Sequence, residues 1–263
     1  MSNQHETDRR GGTQVVERVA KILASISTYG PSGGRLMDVA RDSDIARPTV
    51  HRILQDLIAV EYVRQLPDKR YGLGPGLFAL SLSVPSPIHD FAAIELFAQE
   101  LADKCGDTVY VAIRQLNSVH YLVRTSGHFP IRTHSVNVGA SMPLTSSYSG
   151  LVLLAGMDRR AQEDLLDRLS TDSTSEWWTG SAEEHEAELR RSLTQIERDG
   201  YVYGPDVVIP GVAGIAMAVP SRTQRPYMTL SISAVDARIP PERTGELLQM
   251  LKVTARRISE VVE

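Results

Sequence analysis

The sequence predicts an α+β protein built in two parts, an N-terminal winged helix-turn-helix followed by helices packed around an antiparallel sheet. Three observations carry this prediction. An apolar stripe at helical spacing runs through residues 47–58, two short strand-like runs around a basic turn follow it, and beyond residue 105 alternating segments mix with amphipathic ones.

Thr13 is the expected N-cap of a first helix ending at Tyr29, because Val15, Val19, Ile22, Leu23 and Ile26 recur at helical spacing and Gly30-Pro31 stops the run. Residues 1–12 are polar and read as a disordered tail rather than a targeting segment. Leu36 to Ala40 supplies a short second helix, and Arg41-Asp-Ser-Asp44 a polar turn. The third helix says the most. Val50, Ile53, Leu54, Leu57 and Ile58 form its apolar side, so the opposite face presents Arg52 and Gln55, flanked by Thr49 and His51, with Arg47 and Pro48 at its start. The fixed φ and missing N–H of Pro48 suit a first helical turn. Arginine donates two parallel hydrogen bonds to a guanine edge, glutamine pairs bidentately with adenine, and threonine offers a methyl and a hydroxyl. The face therefore suits the major groove of double-stranded DNA. Tyr62 to Leu66 and Tyr71 to Gly74 form a hairpin around Pro67-Asp-Lys-Arg70. Lys69 and Arg70 fit a wing that touches phosphate, and they fit a solvated turn equally well.

Residues 13–76 make this first domain. A linker at residues 77–87 follows, with a short apolar linker helix at Leu77 to Leu82 and two prolines, Pro85 and Pro87, that stiffen the junction. The apolar side of residues 77–82 reads as a dimer contact or as docking onto its own domain. Residues 88–263 are the second domain. A helix is expected from Ile88 to Lys104, a hairpin from Val109 to Arg114 and Val119 to Val123, and helices at 149–157, 159–169 and 182–199. Strands at 212–220 and 227–235 and a closing helix from Pro241 complete it.

Composition bounds the function. A chain of 263 residues with 42% hydrophobic content buries real cores, and no apolar run is long enough to span a bilayer. One cysteine, Cys105, allows no internal disulfide and fits the cytoplasm; its apolar setting favours packing over nucleophilic chemistry. Net charge is −4, unevenly spread: residues 1–83 hold 11 Lys plus Arg against 9 Asp plus Glu, or +2, which leaves −6 for the remainder. A dimer would concentrate Arg47, Arg52, Arg64, Lys69 and Arg70 on one surface, and the acidic remainder discourages wrong docking on DNA.

Within the second domain, Ile215, Met217 and Val219 share a face with Leu230 and Ile232, whereas Gly214, Ala216 and Ala218 share the other parity with Thr229, Ser231 and Ser233. Small side chains let something approach the sheet closely, and hydroxyls can hold the oxygens of an acid or amide. A closely packed helix would use the same face.

Catalytic and metal-binding arrangements are poor. His120, His128 and His134 are too widely spaced for a local metal site, Ser147-Tyr-Ser149-Gly150 lacks the leading glycine of a nucleophile elbow, and Gly72 to Gly76 contains a proline and opens no phosphate loop. No cofactor is implied. Trp177-Trp178 fits a cover for the core or a partner surface.

The order and content of Val16 to Leu23, Leu36 to Ala40, Pro48 to Leu54 and Arg70 to Pro75 resemble the isocitrate lyase regulator (IclR) family of bacterial transcription factors. Met142-Pro-Leu-Thr145, Gly200-Tyr-Val202, Pro210 to Ala216 and Leu230 to Ser233 continue the resemblance in the right order. It implies a GAF-like effector-binding and oligomerisation domain, a homodimer or dimer of dimers, and a palindromic or near-palindromic operator, with repression as the favoured sign. It also implies effector contacts at Tyr148, Ser149, Val212, Gly214, Ser231 and Ser233. Three positions depart from the family pattern. Tyr148 replaces a usually small residue, Gly214 stands where cysteine is frequent, and Gly204 where an acid is often found. The expected effector is a small carboxylate or an aromatic acid or amide, with Tyr148 and the space at Gly214 favouring the larger. A small-molecule hydrolase or transferase with a DNA-binding-like appendage is the alternative from another class, and a protein-interaction module a third.

Overall fold

The computed structural model describes residues 3–83, 88–133, 136–169, 181–205, 210–221 and 226–262. They belong to two compact units, Met1–Pro85 and Ser86–Glu263. Pro85 and Pro87, His134, and Trp177 with Trp178 lie outside the described residues.

In the first unit α1 spans Asn3–Thr28, α2 Leu36–Ser43 and α3 Arg47–Ala59, and the antiparallel pair β1 (Val63–Gln65) and β2 (Tyr71–Leu73) follows. Two expectations need correction. α1 begins at Asn3 rather than Thr13, so the segment read as a disordered tail extends a helix whose nucleation the apolar residues after Thr13 already provide. α2 runs through the expected turn to Ser43, because Ser43 Oγ donates back to the Val39 carbonyl and Asp44, at φ +54°, donates its N–H to the carbonyls of Ala40 and Arg41.

Ile22, Ile26, Val39, Val50 and Leu54 are fully buried where the three helices meet, each worth roughly 1.5–3 kcal/mol of apolar transfer. The wing is fastened at both ends. Gly34 exchanges backbone hydrogen bonds with Tyr71 at 3.0 and 2.8 Å, and Gly74 passes so close to Glu61 that a Cβ there would lie 2.1 Å from the Glu61 carbonyl oxygen. Next comes α4, Pro75–Ser81, which buries none of its own residues and leaves Phe78 and Leu80 exposed.

In the second unit a six-stranded antiparallel sheet has the order β5-β4-β3-β8-β7-β6: β3 is Thr108–Gln115, β4 Ser118–Ser126, β5 Ser141–Pro143, β6 Tyr201–Pro205, β7 Val212–Ala218 and β8 Met228–Val235. Helices α5 (Phe91–Cys105) and α9 (Thr244–Ser259) pack on one face over Val109, Val111, Ile215, Leu230 and Ile232. Helices α6 (Tyr148–Ala155), α7 (Arg159–Leu169) and α8 (Ala182–Asp199) belong to the core on the other, with Tyr110, Ala112, Tyr121 and Ala216.

α5 starts three residues after the expected Ile88 because the Asp90 side chain accepts from Ala93 N and caps it there. The edge strands β5 and β6 were not expected. β6 begins directly after Gly200, whose left-handed φ of +78° ends α8, so no turn-rich stretch announces it.

A β-bulge in β4 has the largest consequence for the site. The register runs Val111 opposite Val123, then Ala112 opposite Tyr121, so Leu122 is the extra residue. Strict alternation would put Tyr121 on the same face as Val123; the bulge turns it to the opposite face, beside Tyr110.

At the start of β3, Asp107 is buried and accepts from Arg238 Nε at 2.6 Å and Arg243 Nη1 at 2.8 Å. Arg238 also lies 4.0 Å above the Phe129 ring.

Candidate functional site

The structure brings most of the expected reading residues together on one side of α3. Arg47, Pro48, His51, Arg52 and Gln55 are exposed and Thr49 half-exposed, while Val50, Ile53, Leu54 and Leu57 face the core. Lys69 stands at the wing tip at φ +63°, exposed. Arg70 differs. Its Nε lies 2.8 Å from the Asp68 carboxylate, so part of its charge is already answered inside the turn.

The second unit contains a small, partly enclosed cavity. Its wall is made by the hydroxyl-bearing residues Tyr110, Tyr121, Ser146, Ser147, Tyr148, Ser149, Ser231 and Ser233 together with Val136, Met142, Val212 and Ile232. No charged side chain occurs among the described lining residues. Ser149 Oγ and Ser231 Oγ are 3.1 Å apart, and Thr133 Oγ1 lies 3.2 Å from Ser233 Oγ. Tyr110 donates to the Thr133 carbonyl at 2.8 Å and meets Tyr121 edge to face, with ring centroids 5.4 Å apart. Burial pushes the Tyr121 phenol up to about 12, so it stays protonated.

The cavity lies at the N-terminal end of α6. Ser147 caps that helix by accepting from Gly150 N at 3.0 Å. First-turn N–H groups have no acceptor within a helix, and the macrodipole adds positive potential there. Several neutral hydroxyls and a helix N-terminus converging on one small space suit the oxygens of a carboxylate or a comparably polar group.

Of the six effector positions expected from the family resemblance, Tyr148, Ser149, Val212, Ser231 and Ser233 line the cavity and Gly214 does not. A Cβ at Gly214 would lie 2.4 Å from Tyr148 Cδ2, so the space expected there for a large effector is filled by the Tyr148 ring. The Tyr148 hydroxyl reaches the carbonyls of Gly204 and Val212, at 2.8 and 3.2 Å. The three departures from the family pattern, Tyr148, Gly204 and Gly214, are thus one packed unit. On the small-residue face α6 packs over Ala216, and the cavity opens beside the serines.

Sequence reading missed Tyr110, Tyr121, Thr133, Ser146 and Ser147. Tyr110 pairs with Ser231 across the sheet and so shares its face, a relation that needs only the strand order. Tyr121 needs the bulge.

His120 Nδ1 lies 2.9 Å from Ser141 Oγ, and among the described residues no three His, Cys, Asp or Glu side chains gather as metal ligands would. Cys105 is buried, and its thiol is pushed up to about 11 by that burial, which suits packing and not nucleophilic chemistry.

Residues 15–67 match the IclR helix-turn-helix domain, and residues 87–260, about two thirds of the chain, match the bacterial transcriptional regulator IclR C-terminal domain. The chain belongs to the IclR family. Similar curated members of the IclR family include the transcriptional regulator KdgR of Dickeya chrysanthemi, 27% identical over 93% of this chain and 79% of that protein. The transcriptional repressor AllR of Klebsiella pneumoniae is 26% identical over 97% of this chain and 92% of its own. A solved IclR homologue from Microbacterium hydrocarbonoxydans, complexed with 4-hydroxybenzoate, shares the fold with a TM-score of 0.59 and 22% identity, covering 93% of this chain and 97% of its own. Like its IclR relatives, the protein is a DNA-binding transcriptional regulator and not an enzyme, which removes the hydrolase alternative. Among the described residues no helix is long and apolar enough to cross a membrane.

Proposed function

We propose that the protein is a ligand-responsive repressor of a catabolic operon, working as a homodimer or a dimer of dimers in the cytoplasm, with a short-chain carboxylate as its effector. The observation that carries the ligand is the convergence of the hydroxyls of Ser149, Ser231, Ser233 and Tyr121 on the cavity at the N-terminal end of α6. The IclR homologue complexed with 4-hydroxybenzoate supports a carboxylate group on the effector, and the repressor AllR supports the sign.

Arg52, Gln55, Thr49 and His51 read base edges, while Arg47 and Lys69 contact phosphate; Arg70, braced by Asp68, adds to the wing. Paired heads match a palindromic operator, and the exposed Phe78 and Leu80 on α4 supply apolar surface for pairing. The effector acts by binding the DNA-competent and DNA-incompetent states unequally.

The test is binding to the DNA upstream of the protein's own gene and to a scrambled duplex, over a salt series, with and without added short-chain acids, for wild type and Arg52→Ala. Specific, salt-steep binding that Arg52→Ala weakens and an acid releases is expected. Equal, weak binding of both duplexes by both proteins would sink the reading face, and indifference to every acid would sink the effector class.

A further inference from the structure

We propose that Tyr148 is the size filter of the acid cavity: fixed in the space beside Gly214, its ring limits the site to short aliphatic acids and shuts out aromatic ones. This rests on the carboxylate reading above.

Three observations support it. Tyr148 is only 7% exposed, and its ring sits where a Cβ on Gly214 would come within 2.4 and 2.5 Å of two of its carbons. Gly214 lies directly opposite Ser233 in the β7–β8 register, so the ring occupies the place into which the body of an acid held at Ser231 and Ser233 would extend. The hydroxyl is anchored by the carbonyls of Gly204 and Val212, on two different strands. Swinging the ring out would leave those acceptors without their donor and open an apolar void, both of which cost stability. A ligand must therefore fit the space the ring leaves, and an aromatic acid needs the space the ring takes.

The experiment uses the full-length protein and follows calorimetric binding and thermal shift with lactate, succinate, phenol and 4-hydroxybenzoate. Wild type is expected to bind the aliphatic acids and neither aromatic compound. Tyr148→Ala should bind phenol in the vacated ring space, and bind 4-hydroxybenzoate at least tenfold more tightly than phenol because the carboxylate site adds its contacts. Gly214→Ala should force the ring into the cavity and abolish lactate binding, which Gly214→Ala combined with Tyr148→Ala restores.

Wild type and Tyr148→Ala binding 4-hydroxybenzoate alike would overturn the filter while leaving the carboxylate site standing. Phenol binding by Tyr148→Ala without any gain for 4-hydroxybenzoate would overturn it from the other side, showing that the ring space exists and the acid site does not. Failure of a folded Tyr148→Ala protein to bind either aromatic compound would also overturn it.

Discussion

Ser149 Oγ and Ser231 Oγ stand 3.1 Å apart, one on the first turn of α6 and the other in the middle of β8, so the helix and the sheet meet through a pair of hydroxyls. Each hydroxyl has capacity beyond that single bond, and an incoming oxygen can take it up. Ser231→Ala is expected to weaken effector binding about tenfold, near 1.4 kcal/mol, with the melting temperature changed little. Calorimetric titration of both proteins checks it, and equal affinities would remove Ser231 from the site.

On the DNA side, Arg52→Ala and Lys69→Ala should fail in different ways. Loss of a bidentate base contact costs about 1–3 kcal/mol on the specific operator and relaxes preference at one base pair. Loss of a phosphate contact weakens all sequences alike and lowers the salt slope by about 1. Anisotropy titrations on matched and mutated operators separate the two, and identical profiles for the variants would contradict the assignment.

Asp107→Ala should destabilise the second unit by about 3 kcal/mol. The carboxylate is 1% exposed and holds Arg238 and Arg243, whose side chains are themselves only 24% and 21% exposed, so its removal leaves two partly buried cations without their acid. Urea unfolding reads the change. A loss no larger than that from an exposed pair such as Arg198 with Asp199 would refute it.

Acid should destabilise the second unit in a window set by one buried imidazole, His185, and one half-buried, His120. Burial holds His185 and His120 below their ordinary value of 6.5, so the unfolded chain takes up protons before the folded one does. Stability is fully present above 6.5 and falls as pH drops from there through the depressed folded values. His185→Gln should flatten part of that fall, as seen in denaturation midpoints at pH 7.5 and 5.5; an unchanged slope would count against His185.

The first unit was largely legible because each of its elements carries a local mark. The apolar stripe of α3, Pro48 in its first turn and the glycines around the wing each follow from spacing or backbone chemistry within a few residues. The cavity was legible only in part. Parity placed Ser231 and Ser233 on one face, but Tyr121 reaches that face through a single extra residue, Leu122, which alternation cannot reveal. The fate of the space at Gly214 depends on Tyr148, sixty-six positions earlier in the chain, and such an exchange of volume is visible only once α6 lies on the sheet. The early start of α1 and the two edge strands escaped because polar segments and short strands lack a periodic mark.

The uncharged lining of the cavity separates the two sensitivities proposed for the protein. Contacts between exposed Arg52 or Lys69 and a polyanion depend steeply on counterions, whereas a buried site with no ionised side chain among its described walls is shielded from them. On the proposed function, a change in the ionic composition of the surroundings therefore acts directly on the operator contacts and reaches the cavity only through the coupling between the two.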